Sequence, residues 1–285
     1  MSPRPGGPLD YSLRVAASGL CFATFGLACL VLSATLFPLI RLSSPDAATT
    51  RRRVRQCVYH AYRFFIGMGR LLGVISYELH GGERLAARGQ LVVANHPSLI
   101  DVLFIGAQLP QVDCIVKNAL QRNPFLGAPL RWAGYIPNGV AQHLIEDCVA
   151  TLRAGNSLLV FPEGTRSVPG QPLSLKRGAA HIALAAGCDL LPVTILCHPS
   201  SMTKTDVWYR VPRQRPHWQV TVGEPIRLSA LVMPGEPESR SARRVTAYLA
   251  EYFNAGVGLS TPLPPATASA GRTVRPAQTN PAVTS

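Results

Sequence analysis

Residues 15–40 carry no charged side chain, and this stretch limits what the chain can fold into more than any other. It is rich in Leu, Ala, Val and Phe. As an α-helix it would extend about 39 Å at ~1.5 Å per residue, against ~30 Å for the hydrocarbon core of a bilayer, so it can span a membrane or lie tilted in one. It is too long for the apolar part of a signal peptide, and no small-residue cleavage site follows it. Residues 1–45 therefore read as a retained membrane anchor. Arg41, Arg51, Arg52, Arg53 and Arg55 crowd its C-terminal side, whereas only Arg4 and Arg14 precede it. By the positive-inside rule this asymmetry places the remainder at the inner (cytoplasmic) membrane, on the cytoplasmic side. The same arginines, next to an apolar helix, suit anionic lipid headgroups.

The formal net charge of +13 admits nucleic acid, an anionic membrane, or acidic protein and phosphate ligands as partners. The apolar segment selects the membrane. Aromatic residues are sparse and no nucleic-acid motif is present, so nucleic acid is a poor partner. The cysteines at 21, 29, 57, 114, 148, 188 and 197 are odd in number, sit mostly in apolar sequence, and show neither zinc-type nor Cys-x-x-Cys spacing. They read as small buried hydrophobes in a reducing compartment, with no metal site.

Past the anchor, residues 57–75 hold recurring apolar positions broken only by Arg63 and Arg70, the pattern of a membrane-associated or core-packed helix. Apolar runs at 91–94, 114–116, 158–161, 190–196 and 218–222 then read as strands. Helices are expected from Ser98, over 141–154 where Gly155 stops the pattern, over 177–186 and over 240–253. This alternation predicts an α/β fold, a mixed sheet flanked by helices, across a domain of residues 46–255. The tail, 256–285, is Pro, Ala, Thr and Ser with little charge, a composition that cannot bury a core, and is expected to be disordered.

Two strand ends carry the chemistry. After 91–94 comes Asn95-His96-Pro97-Ser98-Leu99-Ile100-Asp101. Pro97 biases His96 away from helical geometry, placing it at a strand-to-helix junction. Asp101, one turn on, can hold one ring nitrogen as a donor and leave the other free to take a proton. Ser98 and Asp101 equally fit a capping box, in which the carboxylate is purely structural. After the second run comes Phe161-Pro162-Glu163-Gly164-Thr165-Arg166-Ser167. Here a glycine allows close backbone approach, hydroxyls supply donors and Arg166 offers a fork for phosphate, although an ordinary charged turn would look the same.

Together, the His96-x4-Asp101 spacing and the Phe161–Arg166 run resemble the motifs of the glycerolipid acyltransferase family, which includes 1-acylglycerol-3-phosphate acyltransferases. The order and gap of the motifs match. A proline-bearing strand around Pro192 and the 117–138 region with Pro124, Gly127 and Gly134 add further landmarks. The resemblance covers roughly residues 70 to 230. It implies acyl transfer from a thioester, acyl-CoA or acyl-ACP, to a hydroxyl of a lysophospholipid or related lipid, with no bound cofactor. His96 would be the general base, Asp101 its orienting partner, and Glu163, Gly164, Thr165 and Arg166 the acceptor-binding turn. Members acting on lysophosphatidate often carry an Asp-Arg pair where this chain has Gly139-Val140. That departure opens acceptors without a terminal phosphate. A water-accepting thioesterase or lipase finds no Gly-x-Ser-x-Gly elbow, and a non-catalytic lipid-binding membrane protein is the remaining alternative.

Overall fold

The computed structural model describes residues 7–139, 141–207 and 209–259. The charge-free stretch folds as helix α1 (Pro8–Ala34) and a short continuation α2 (Leu36–Leu42), broken at Thr35. Pro38 explains the break, because it has no N–H to give and its ring crowds the carbonyl of Ala34. Helix α3 (Ala47–Leu71) follows, with the Asp46 side chain capping it through the Thr49 amide. It starts ten residues before the helix expected at 57–75 and ends four before it.

Next come strand β1 (Ser76–His80), β2 (Leu91–Ala94), helix α4 (Asp101–Gly106), β3 (Val112–Val116), α5 (Gly127–Ala133), β4 (Ile136–Pro137), α6 (Ala141–Arg153), β5 (Ser157–Val160), α7 (Gly178–Ala186), β6 (Leu190–His198), β7 (His217–Val222) and α8 (Glu238–Gly256). Strands β1 and β4 are absent from the sequence reading. The first is an edge strand with alternating polar residues, and the second is two residues long. The helix expected from Ser98 begins instead at Asp101, with Ile100 as its N-cap. Of the 256–285 tail, residues 260–285 lie outside the described residues.

The described strands form one mixed sheet in the order β1-β7-β6-β2-β5-β3-β4. Strands β6, β2, β5, β3 and β4 run parallel, while β7 is antiparallel to β6 and carries β1 alongside it. One face is covered by α1, α3, α4 and α5, and the other by α6, α7 and α8. Both faces of β2 and β5 are therefore buried along their whole length, which is why these runs are continuously apolar. The chain leaves β2 through α4 toward β3, and leaves β5 through α7 toward β6. These connections diverge on opposite faces, so a crevice opens at the C-terminal ends of β2 and β5, where ligands of such sheets collect.

Helix α3 is tied to this sheet by a buried ion pair, Arg55 Nη2 to Asp113 Oδ2 at 2.6 Å, while Arg55 Nε donates to the Ala133 carbonyl at 2.8 Å. Burial pushes the Asp113 carboxyl up from its ordinary value, with Arg55 and Thr151 pulling it back. Arg55→Ala should cost on the order of 3–5 kcal/mol, because it strands a buried carboxylate. The double change Arg55→Met with Asp113→Leu should recover most of that. Thermal unfolding of the single and double variants checks both.

Candidate active site

The fully buried strand β2 delivers Asn95 and His96 to the crevice. Asn95 is locked in place by pairing both its amide atoms with the backbone of Ile195, at 2.8 Å to the carbonyl and 2.7 Å from the amide. The imidazole of His96 then lies against Phe161 from the neighbouring strand end, ring centroids 4.2 Å apart and nearly parallel. Its Nδ1 is 2.8 Å from Asp101 Oδ2. The ring is 20% exposed and the carboxylate 0%. One nitrogen is thus held from inside the protein, and Nε2 is left for the crevice.

Asp101 accepts two further bonds, from the Ser98 amide to Oδ2 and from the Ser98 hydroxyl to Oδ1, each at 2.6 Å. The Ser98 hydroxyl in turn accepts from Trp218 Nε1 at 3.1 Å. With every donor aimed at the acid, Nδ1 of the ring must carry its hydrogen toward Asp101, which leaves Nε2 as the lone-pair nitrogen. This carboxylate thus has the contacts that both readings of the spacing require. It braces the turn through Ser98 and orients the imidazole. Trp218 lies 120 residues from Ser98, a separation no local pattern reveals.

The second turn is fastened to the first. Glu163 Oε1 accepts from the His96 amide at 2.9 Å and from the Ser167 hydroxyl at 2.9 Å, and the Ser167 amide donates to the His96 carbonyl at 2.7 Å. Glu163 is buried, which pushes its carboxyl up from the ordinary range against the pull of those donors. One oxygen of Glu163 is thus committed to holding the His96 turn, a use that its place in an acceptor-binding motif did not suggest. Gly164 has φ +67°, and a Cβ there would come within 3.0 Å of Lys176 Nζ, so the ammonium of Lys176 lies over the turn. Thr165 and Arg166 are partly exposed beside it. Arg166 Nη1 donates to the carbonyls of Met202 and Thr203 at 2.9 and 2.7 Å, and Met202 also accepts from the Leu99 amide. Arg166 therefore sits on the same side of the sheet as His96, bracing the segment after β6.

All six residues singled out in the sequence meet at this crevice. Ser98 and Trp218 join them through the carboxylate, and Lys176 through Gly164. Among the described residues no group of three or more His, Cys, Asp or Glu is placed to hold a metal ion.

The family model described as Acyltransferase matches residues 76–196, which span β1 to β6 and both turns. The chain is 30% identical over 149 residues to a 1-acyl-sn-glycerol-3-phosphate acyltransferase of Pseudomonas aeruginosa, covering 50% of this chain and 58% of that one. It is also 30% identical over 154 residues to the enzyme of that description from Saccharomyces cerevisiae, covering 49% and 47%. The match thus spans about half the length of these relatives. In structure, the chain superposes on the crystal structure of the 1-acyl-sn-glycerophosphate acyltransferase PlsC from Thermotoga maritima with a TM-score of 0.62, over 86% of this chain and 97% of that one at 22% identity, a likeness of fold. Through residues 76–196, the chain is thus similar to the acyltransferase family.

Proposed function

We propose that this protein transfers a fatty acyl group from a thioester, acyl-CoA or acyl-ACP, to a hydroxyl of a lysophospholipid or related lipid. The observation that carries this reading is the 2.8 Å contact between His96 Nδ1 and a fully buried Asp101, which leaves Nε2 as a base at the crevice. The acceptor hydroxyl gives its proton to Nε2 as its oxygen attacks the thioester carbonyl. The tetrahedral oxyanion then collapses, the C–S bond breaks, and the proton on Nε2 passes to the departing sulfur. A thioester is already activated, so deprotonation and alignment are what the protein must add. The amides of Thr165 and Arg166 make no hydrogen bond among the described residues, and we assign them to the developing oxyanion or the acceptor headgroup. Arg166 keeps guanidinium nitrogens beyond Nη1 for a headgroup phosphate.

The membrane enters through α1 and α2, which together are long and apolar enough to cross a bilayer. Both ends, however, are held to the same domain. Arg14 in the first turns donates to the carbonyls of Pro212 and Arg213, and Arg53 holds Ser43 and Ser44 beyond the last turn. Midway, Gly26 packs against Phe125. A helix fastened to one body at both ends cannot put those ends on opposite sides of a bilayer. Its exposed row, Leu13, Leu20, Leu27, Leu39 and Leu42 with Phe64 and Leu71 of α3, instead beds in one leaflet. We place that leaflet on the cytoplasmic face of the inner membrane, the side where acyl-CoA and acyl-ACP occur.

The test is an assay of the full chain in mixed micelles with a labelled acyl-CoA or acyl-ACP and a panel of lysolipids. Label should enter a diacyl product only when an acceptor is present. Release of free fatty acid at the same rate without acceptor would make the protein a thioesterase instead. The panel also reads the consequence of Gly139-Val140: if an acceptor lacking a terminal phosphate outruns lysophosphatidate, the enzyme serves a different lipid hydroxyl.

A further inference from the structure

The arginines around the end of the apolar segment divide into those the fold consumes and those it leaves free. Arg55 is buried against Asp113, and Arg53 holds the Ser43–Ser44 turn. The side chains of Arg41 and Arg51 make no hydrogen bond or ion pair among the described residues, and with Arg131, Trp132 and Thr50 they line a cavity of about 440 Å³. Arg131 spends one nitrogen on the Gln121 carbonyl at 2.6 Å. Among the described residues no carboxylate lines this cavity, so Arg41, Arg51 and Arg131 bring three positive charges to its wall without a counter-charge there. Such a cluster makes a positive patch that favours an anion.

Its position says which anion. Arg41 lies in α2 between the exposed Leu39 and Leu42, so the cavity opens where the apolar row stops. Trp132 supplies the amphipathic ring that such boundaries favour. The cavity is also remote from the crevice. Arg51 packs over Gly134, just before β4, whereas His96 follows the far end of β2, and parallel register places these toward opposite ends of the strands. We propose that the Arg41–Arg51–Arg131 cavity binds the headgroup phosphate of an anionic phospholipid of the leaflet, a non-substrate lipid that seats the protein at the membrane surface. The planar arginine forks suit a phosphodiester, and the volume admits one headgroup. This rests on the bedding of α1 and α2 in a leaflet, and not on the acyl-transfer chemistry.

The experiment is vesicle flotation of the full chain on phosphatidylcholine vesicles with and without one part in five of phosphatidylglycerol. Wild type should bind both kinds, and the anionic vesicles more tightly. Arg41→Gln with Arg51→Gln should weaken binding to anionic vesicles roughly 30-fold, about fivefold per arginine. Binding to neutral vesicles and turnover in detergent should be unchanged, which also reports an intact fold. Arg52→Gln, next along α3 but outside the cavity, is the control and should lose less than twofold. An equal loss with Arg52→Gln would overturn the site in favour of diffuse charge, as would no loss in the double variant. Failure to bind either vesicle would overturn the leaflet reading as well, while acyl transfer in micelles would stand. A saturable change in tryptophan fluorescence with inorganic phosphate in detergent, abolished in the double variant, would reassign the cavity to a soluble phosphate.

Discussion

His96→Ala is expected to lower the rate of acyl transfer by a factor on the order of 10⁴ while leaving a folded, membrane-bound protein. The two consequences separate because of how this residue is used. Its ring is the proposed base, but its main chain supplies the cross-links to Glu163 and Ser167, and alanine keeps both of those bonds. The loss to stability is limited to the stack on Phe161 and the Asp101 contact, about 1–2 kcal/mol. Initial rates in micelles and a thermal unfolding curve measure the two. A variant retaining more than a tenth of the wild-type rate would show that the acceptor proton goes elsewhere.

Asp101→Asn should cost nearly as much in kcat, on the order of 10⁴, with little change in KM, although it adds and removes almost no volume. The carboxylate receives a ring N–H, a backbone N–H and a hydroxyl, all as acceptor. An amide has one acceptor oxygen, so its NH₂ must face one of these donors or turn the imidazole to the other tautomer, with the lone pair at Nδ1. With the NH₂ at the Oδ2 position the ring must turn, which removes the base from the crevice, whereas at the Oδ1 position the NH₂ meets the Ser98 hydroxyl instead. The stranded donor adds a stability loss of about 1–3 kcal/mol. This variant also decides between the two readings of the spacing. If the aspartate were only a cap, stability would fall and kcat would hold. Combining it with His96→Ala should cost no more than His96→Ala alone, because the acid acts through the ring.

The parts of this site that were legible from sequence are those built from neighbours in the chain. Two apolar runs ending in polar turns give two adjacent strand ends, and a histidine five residues before an aspartate gives a pair able to meet. Long-range partners were illegible. Trp218 meets Ser98 only because β7 folds back against β6, and nothing around 217–222 distinguishes that tryptophan from a core residue. Ser98 could be read as a cap but not as a bridge. The resemblance gives Glu163 to the acceptor, and the sequence cannot show that burial and the His96 amide also make one of its oxygens a fastening. Pro97 and Ser98 are good helix openers and point to a start of α4 at Ser98. Here the Ser98 amide and hydroxyl are both spent on Asp101, so the helix waits until that residue. Sequence alone groups Arg55 with the lipid-facing arginines, since it cannot show that Asp113 lies beneath it.

The main-chain amide and carbonyl of His96 are both given to the neighbouring turn, one to Glu163 and the other to Ser167. The loop that carries His96 and the loop over residues 162–167 are therefore welded into a single stiff unit. Lengthening or reshaping residues 162–167 to suit a new acceptor would drag the imidazole with it. A lineage that changes its lipid substrate has to do so by altering walls that do not touch this weld, such as the segment after β6 that Arg166 holds.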